Sequence, residues 1–257
     1  MPKQLWTRDE FMVVFNLYLK IPFGKMHHSN PNVIKVANLI GRTPSSVALR
    51  LGNFASCDPI LRKRGIKGMQ GGTKQCQPYW DEFFADKDKF IFETEKILAK
   101  YQHTSVEFKY KKALDNIPDD LIGEDKKKEV KIRVNQNVFR LIILANYDSK
   151  CALTGIDIPE LLVASHIIPW AYDTKERLNP ENGICLSSLY DRAFDQGLIT
   201  FSDDYKTILS NKIKSNVGKT YYADFFKPIE GKQLLTPEKY YPNKEFLEYH
   251  RDVIFNH

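Results

Sequence analysis

The chain has 257 residues, 42% hydrophobic and 27% charged, enough to bury a real core as one large domain or two modest ones. No stretch approaches the roughly 18 consecutive apolar residues of a spanning helix, and Met1-Pro2-Lys3-Gln4-Leu5-Trp6 lacks the apolar core of a signal peptide, so a soluble cytoplasmic protein is expected. Net charge is +6, but residues 1–80 hold 12 Lys+Arg against 3 Asp+Glu, so the positive excess sits at the N-terminal end, where it favours polyanionic partners through counterion release. Cys57, Cys76, Cys151 and Cys185 are scattered without a Cys-x-x-Cys pair, which speaks against a structural zinc or a disulfide framework.

Thr7 followed three residues later by Glu10 has the form of a capping box, and Phe11, Val14, Phe15, Tyr18 and Leu19 recur at helical spacing, predicting a first helix to about Lys20. Ile21-Pro22-Phe23-Gly24 breaks it. A second periodic stretch (Val33, Val36, Ala37, Ile40) starts after Asn30-Pro31 and stops at Gly41. In the third, 42–51, Thr43 is placed to cap and Pro44 suits the first helical position. Three short helices with a tight turn before the third resemble a helix-turn-helix, in which Arg42, Ser45, Ser46 and Arg50 would meet a DNA groove; the alternative is an ordinary helical bundle with solvated arginines. Arg62, Lys63, Arg64 and Lys67, interspersed with Gly65 and Gly68, form a candidate phosphate-contacting loop.

From 81 to 128 apolar residues are embedded among charges, reading as a charged helix and an exposed connector. The helical pattern resumes from Val130 to Tyr147 and carries Arg133, Gln136 and Arg140 on one side, toward DNA or toward the segment that follows. The expected layout is therefore a basic helical DNA-binding domain (1–80), a charged helical connector (81–128) and a C-terminal domain (129–257).

That last domain holds the chemistry. The apolar run 161–164 predicts a strand that places His166 just before Pro169-Trp170. After a polar loop with Arg177, Asn182-Gly183 opens a second apolar run, 184–186, and Ser187 or Ser188 is placed to cap a helix containing Asp191. Strand, loop, strand and helix would bring His166 and Asp191 to one site.

The pattern Ala164-Ser165-His166-Ile167-Ile168-Pro169-Trp170, Asn182-Gly183, then Asp191, Phe194-Asp195 and Gly197-Leu198-Ile199 resembles the HNH (ββα-metal) endonuclease family, in particular its restriction-like, defence-associated branch; Tyr249-His250-Arg251 is similar to that branch as well. The resemblance implies an α+β chain: a mainly helical N-terminal region joined to a ββα-metal nuclease domain. It implies a DNA endonuclease with His166 as general base, Asn182 bracing the loop that carries it, and Asp191 as ligand to Mg²⁺ or Mn²⁺. Where an Asp often precedes the base, this chain has Ser165, a weaker neutral ligand to the same cation. Arg177 and Arg192 flank the site, either clamping phosphate or forming salt bridges. Asp195 is expected to anchor the helix end, and His27, His28, His103, His250 and His257 have no partner pattern. Double-stranded DNA is the expected partner and a homodimer the expected assembly, since two sites about a two-fold axis would cut both strands; no small-molecule cofactor is indicated. The biological expectation is restriction or anti-phage defence. The alternative is a DNA-binding regulator with a degenerate, inactive HNH domain, to which Ser165 points.

Overall fold

A computed structural model describes residues 5–65, 72–115, 117–118 and 120–256; Lys67 and His257 lie outside the described residues. The chain divides into two compact units, Met1–Ile142 and Ile143–His257.

The first unit is helical: α1 (Arg8–Leu19), α2 (Pro31–Leu39), α3 (Pro44–Cys57), α4 (Pro59–Lys63), α5 (Thr73–Ala85), α6 (Lys87–Tyr101), α7 (Val106–Lys109), α8 (Lys111–Leu114) and the start of α9 (Gly123–Asn146). The predicted capping box is present: Glu10 N–H donates to Thr7 Oγ1 at 3.3 Å, and Thr7 N–H donates to the Glu10 carboxylate at 2.7 Å. Asn30 and Thr43 cap α2 and α3, each ahead of a proline.

Every residue of α1 from Glu10 to Leu19 is buried, so this helix is surrounded and does not merely lie on a core. Phe15 meets Phe54 of α3 (5.1 Å between centroids), Trp80 of α5 (4.8 Å) and Phe90 of α6 (5.1 Å). This corrects the expected layout. Residues 81–101 are no connector, because α1 presents apolar side chains on all sides, and α5 and α6 are needed to cover what α2 and α3 leave bare. At the polar end of this core Asn16 Nδ2 donates to Thr94 Oγ1 (2.8 Å) and to Glu95 (2.6 Å). The fully buried Glu95 also receives Lys20, Lys109 (2.6 Å) and the Tyr110 hydroxyl (2.7 Å).

The second unit is α+β. β1 (Leu162–His166) and β2 (Gly183–Ser187) pair antiparallel with His166 opposite Gly183 and Ser165 opposite Ile184. α10 (Ser188–Asp195) packs on both strands, completing the ββα unit. β3 (Ile199–Phe201) and β4 (Thr207–Leu209) form a second hairpin, followed by α11 (Asn211–Lys214) and α12 (Lys244–Tyr249). Ser187 occupies the N-cap of α10, but no side chain caps it; Ser188 Oγ donates to the Leu161 carbonyl, and the Ser187 N–H donates to Cys151 Sγ. A π-helical segment, His250–Ile254, follows α12 and returns to the corner between α10 and β3. Gly197 (φ +64°) makes this return possible: a Cβ there would lie 2.0 Å from the Ile254 carbonyl oxygen. Among the described residues no helix is long and apolar enough to cross a membrane.

Candidate active site

β1 delivers Ser165 and His166 to a cleft of about 450 Å³ that is also lined by Pro169, Trp170, Asp191, Asp195 and His250. Asp191 and Asp195 stand four residues apart on α10, so one face of that helix presents both carboxylates.

His166 Nε2 lies 3.0 Å from the Arg177 carbonyl oxygen. A carbonyl only accepts, so Nε2 carries the hydrogen and Nδ1 is the basic nitrogen of the neutral ring. Burial pushes this imidazole down to about 4; the bond to the Arg177 carbonyl opposes that shift and the Arg177 charge adds to it. The ring is therefore neutral at physiological pH. The edge of Trp170 packs against it, with centroids 5.4 Å apart and planes at 82°.

Asn182 is 1% exposed, and its amide is fully engaged. Oδ1 accepts from Ile168 N–H at 2.8 Å, while Nδ2 donates to the carbonyls of Ile168 (3.2 Å) and Glu176 (3.0 Å). One side chain thus ties the residues after His166 to the far side of the loop. Arg177 closes the same loop: its Nε donates to the Trp170 carbonyl at 2.6 Å and its guanidinium lies over the Trp170 ring. Arg192 is exposed, and among the described residues no ion pair holds it.

The acidic side of the cleft is unusually bare. Burial raises the Asp191 carboxyl above its ordinary range, opposed by the Ser165 hydroxyl and by Arg192. Asp195 is exposed at the rim, yet crowding by protein atoms together with the Asp191 charge pushes it up to about 6, again opposed by Arg192. Ser165 is 2% exposed; its Oγ stands close enough to Asp191 to act on that carboxyl but meets no partner at full hydrogen-bond geometry.

The expected role of Asp195 as a helix anchor is corrected here, since it makes no hydrogen bond or ion pair among the described residues. The helix end is held instead by His250, for which the sequence offered no partner pattern. Its ring stacks on Phe194 (3.7 Å, 3°), Nε2 donates to the Phe194 carbonyl at 3.1 Å, and Nδ1 accepts from the Thr200 hydroxyl at 2.9 Å. The nearest signal in the sequence was its place in Tyr249-His250-Arg251. Arg251 continues the anchor, donating to the Phe201 carbonyl at 2.8 Å and to Asp203 at 2.6 Å.

In the first unit, Arg42 is not solvated. Its guanidinium pairs with Glu10 (2.8 Å) and donates to the Leu5 carbonyl, locking the α1 capping box. Arg50 stacks on the rings of Trp6 (4.8 Å) and Phe11 (4.7 Å) and donates to Gln75. Both arginines have been drawn inward by partners that local pattern does not reveal. Ser45, Lys63 and Arg64 are exposed and Ser46 is half-buried; Arg62 donates through Nε to the Ser56 carbonyl, and Arg133 pairs with Glu129 at 2.9 Å. Arg140 is half-buried on α9.

Among the described residues, no group of three or more His, Cys, Asp or Glu side chains is disposed to hold a metal. The donor set does fit a hard divalent cation in part: the Asp191 and Asp195 carboxylates and the buried Ser165 hydroxyl face one cleft. No curated protein matches the chain. The family model described as HNH endonuclease matches residues 151–202, the stretch from Cys151 through β1, the loop, β2, α10 and β3, and the second unit therefore contains an HNH domain.

Proposed function

We propose that this chain is a metal-dependent endonuclease that hydrolyses DNA phosphodiester bonds, with restriction or anti-phage defence as its role. The observation that carries the reading is the state of His166: a neutral imidazole whose Nε2–H is committed to the Arg177 carbonyl, in the same cleft as Asp191. A base must hold its lone pair on a defined atom, and here that atom is Nδ1.

His166 Nδ1 takes a proton from water. The water oxygen bonds to phosphorus, and the bond from phosphorus to the 3′-oxygen breaks, leaving a 5′-phosphate and a 3′-hydroxyl once the departing oxygen is protonated from solvent. Asn182 and Arg177 hold the loop so that the tautomer and orientation of His166 persist through turnover. Asp191, with Ser165 assisting, would hold Mg²⁺ or Mn²⁺, which when bound supplies charge neutralisation at the leaving oxygen. Arg192, exposed on α10 and near Asp191, would meet a phosphate oxygen. Lys63 and Arg64, at the exposed end of α4 in the positively charged N-terminal region, would contact the DNA backbone, with Arg62, Lys67, Arg133 and Arg140 as further candidates. Cleavage of both strands would follow from homodimerisation about a two-fold axis.

The test is digestion of plasmid and phage DNA, modified and unmodified, by the chain and by His166→Ala, with Mg²⁺, with Mn²⁺ and with chelator. Metal-dependent cutting by the unaltered chain alone supports the reading. DNA binding without cutting under every condition replaces it with the regulator in which the HNH domain is inactive.

A further inference from the structure

We propose that a cleft in the first unit, lined by Trp6, Arg50, Lys74 and Tyr79, binds one unstacked nucleotide, its base against the rings and its phosphate toward Arg50 and Lys74. The cleft belongs wholly to the helical unit; the choice of a nucleotide among planar anions rests on the nuclease reading above.

Three observations lead there. The first is shape and surface. The cleft encloses about 870 Å³, and rings and cations alternate along it. The Arg50 guanidinium lies 4.8 Å from the Trp6 ring centre and 4.7 Å from that of Phe11, and Phe11 stacks on Tyr79 at 5.0 Å. Flat aromatic and guanidinium surfaces are what an unstacked base packs on, whatever its identity. The second is charge. Glu82 and Glu10 hold Arg8 and Arg42, but Arg50 and the exposed Lys74 line the cleft with no acidic partner among the described residues. The third is independent of both: Tyr79 is 9% exposed, yet among the described residues its hydroxyl makes no hydrogen bond. A buried hydroxyl in that state costs stability unless a ligand completes it. At the rim, Leu49 is 50% exposed, an apolar side chain of the kind that fills the gap a departing base leaves in a stack. The nucleotide has two sources, a base displaced from DNA or a free nucleotide, and the chemistry that binds them is the same.

The experiment is a fluorescence-anisotropy titration of the full chain, with chelator to prevent cutting. The probes are a labelled duplex with one bulged adenine, the same duplex fully paired, and free deoxyadenosine 5′-monophosphate as competitor. The bulged duplex should bind about tenfold more tightly than the paired one. Trp6→Leu should abolish that preference, Trp6→Phe should keep it, and Tyr79→Phe should reduce it about threefold. Lys74→Gln should weaken both duplexes and lower the salt slope by about one. Tyr79→Phe and Lys74→Gln remove no contact the fold uses, so both should keep the unfolding temperature, which separates a lost ligand contact from lost structure. Equal binding of the two duplexes, with competition by the mononucleotide that Tyr79→Phe weakens, assigns the cleft to a free nucleotide. Equal binding without such competition overturns the proposal, as does a preference for the bulge that survives in both Trp6→Leu and Tyr79→Phe. Metal-dependent cutting alongside either of these failures leaves the nuclease reading standing; a Tyr79-dependent preference without cutting in any metal does the reverse.

Discussion

Replacing Asn182 with Ala should damage the cleft without touching any group that meets substrate. The substitution removes three hydrogen bonds and strands the Ile168 N–H and the Ile168 carbonyl in a region where Asn182 is 1% exposed, while the Glu176 carbonyl keeps the Asn179 N–H at 3.2 Å. A buried polar group left without a partner costs about 1–3 kcal/mol, so with two such groups a rigid loop would lose about 2–6 kcal/mol. Relaxation of the loop toward water recovers part of this, and we expect a net loss of about 3 kcal/mol. That loss should appear locally as roughly a hundredfold faster hydrogen exchange at the Ile168 amide and globally as a fall of roughly 10 °C in the unfolding temperature of the second unit. Cleavage should fall in parallel, because Arg177 lies on the same loop and its carbonyl fixes the His166 tautomer. Asn182→Asp retains an acceptor for Ile168 but faces the two carbonyls without donors, and should be no better than Ala. Unchanged exchange at Ile168 together with full cleavage by Asn182→Ala would refute the reasoning.

In the first unit, burial pushes the Glu95 carboxyl up, but Lys20 and Lys109 outweigh it and hold it at about 2; its contribution is fully present above about pH 4.5 and lost as pH falls toward 2. Glu95→Gln leaves both lysines facing an uncharged amide and should cost about 3–5 kcal/mol in urea unfolding, with a flatter acid limb. Burial lowers His250 to about 4, so the unfolded chain binds the extra proton between pH 4 and about 6.5; stability is complete above that window and declines through it by about 3 kcal/mol as pH falls to 4. Asp195, raised to about 6, contributes with the opposite sign over part of the same range, and unfolding of His250→Gln between pH 4 and 7 should expose that smaller opposing slope. Gly197→Ala combines a φ of +64° with a Cβ 2.0 Å from the Ile254 carbonyl; it should destabilise the second unit by at least about 2 kcal/mol, read by calorimetry, and an unchanged melting curve would show that the C-terminal segment moves aside freely.

What was legible in the sequence was local. The α1 capping box needs only Thr7 and Glu10, three residues apart, and the ββα unit closes within 162–195, so strand alternation, a polar loop and a helix face could be read along the chain. What was hidden depends on contacts made at long range. The pattern of α1 predicted one apolar face, but Met12, Val13, Asn16 and Leu17 are buried as well, and only the arrival of α5 and α6 shows why a helix would be apolar all round. Arg42 reads as a groove-facing cation until Glu10, 32 residues earlier, is seen to hold it.

The same reasoning explains how the end of α10 is held. Phe194-Asp195 was taken as an anchor because a helix end needs one. The anchoring, however, comes from His250, 56 residues later, which stacks on Phe194 and accepts the Thr200 hydroxyl. With the helix end secured from outside, Asp195 is released from structural duty, and its spacing of four from Asp191 turns it toward the cleft. There it stands beside the Asp191 carboxyl, which burial raises against the pull of the Ser165 hydroxyl and of Arg192. Deleting the tail after Tyr249 should therefore lower the unfolding temperature of the second unit, because His250 and Arg251 bond to Phe194 at the end of α10 and to Thr200 and Phe201 of β3; an unchanged melting curve would show that α10 is held by its strand contacts alone.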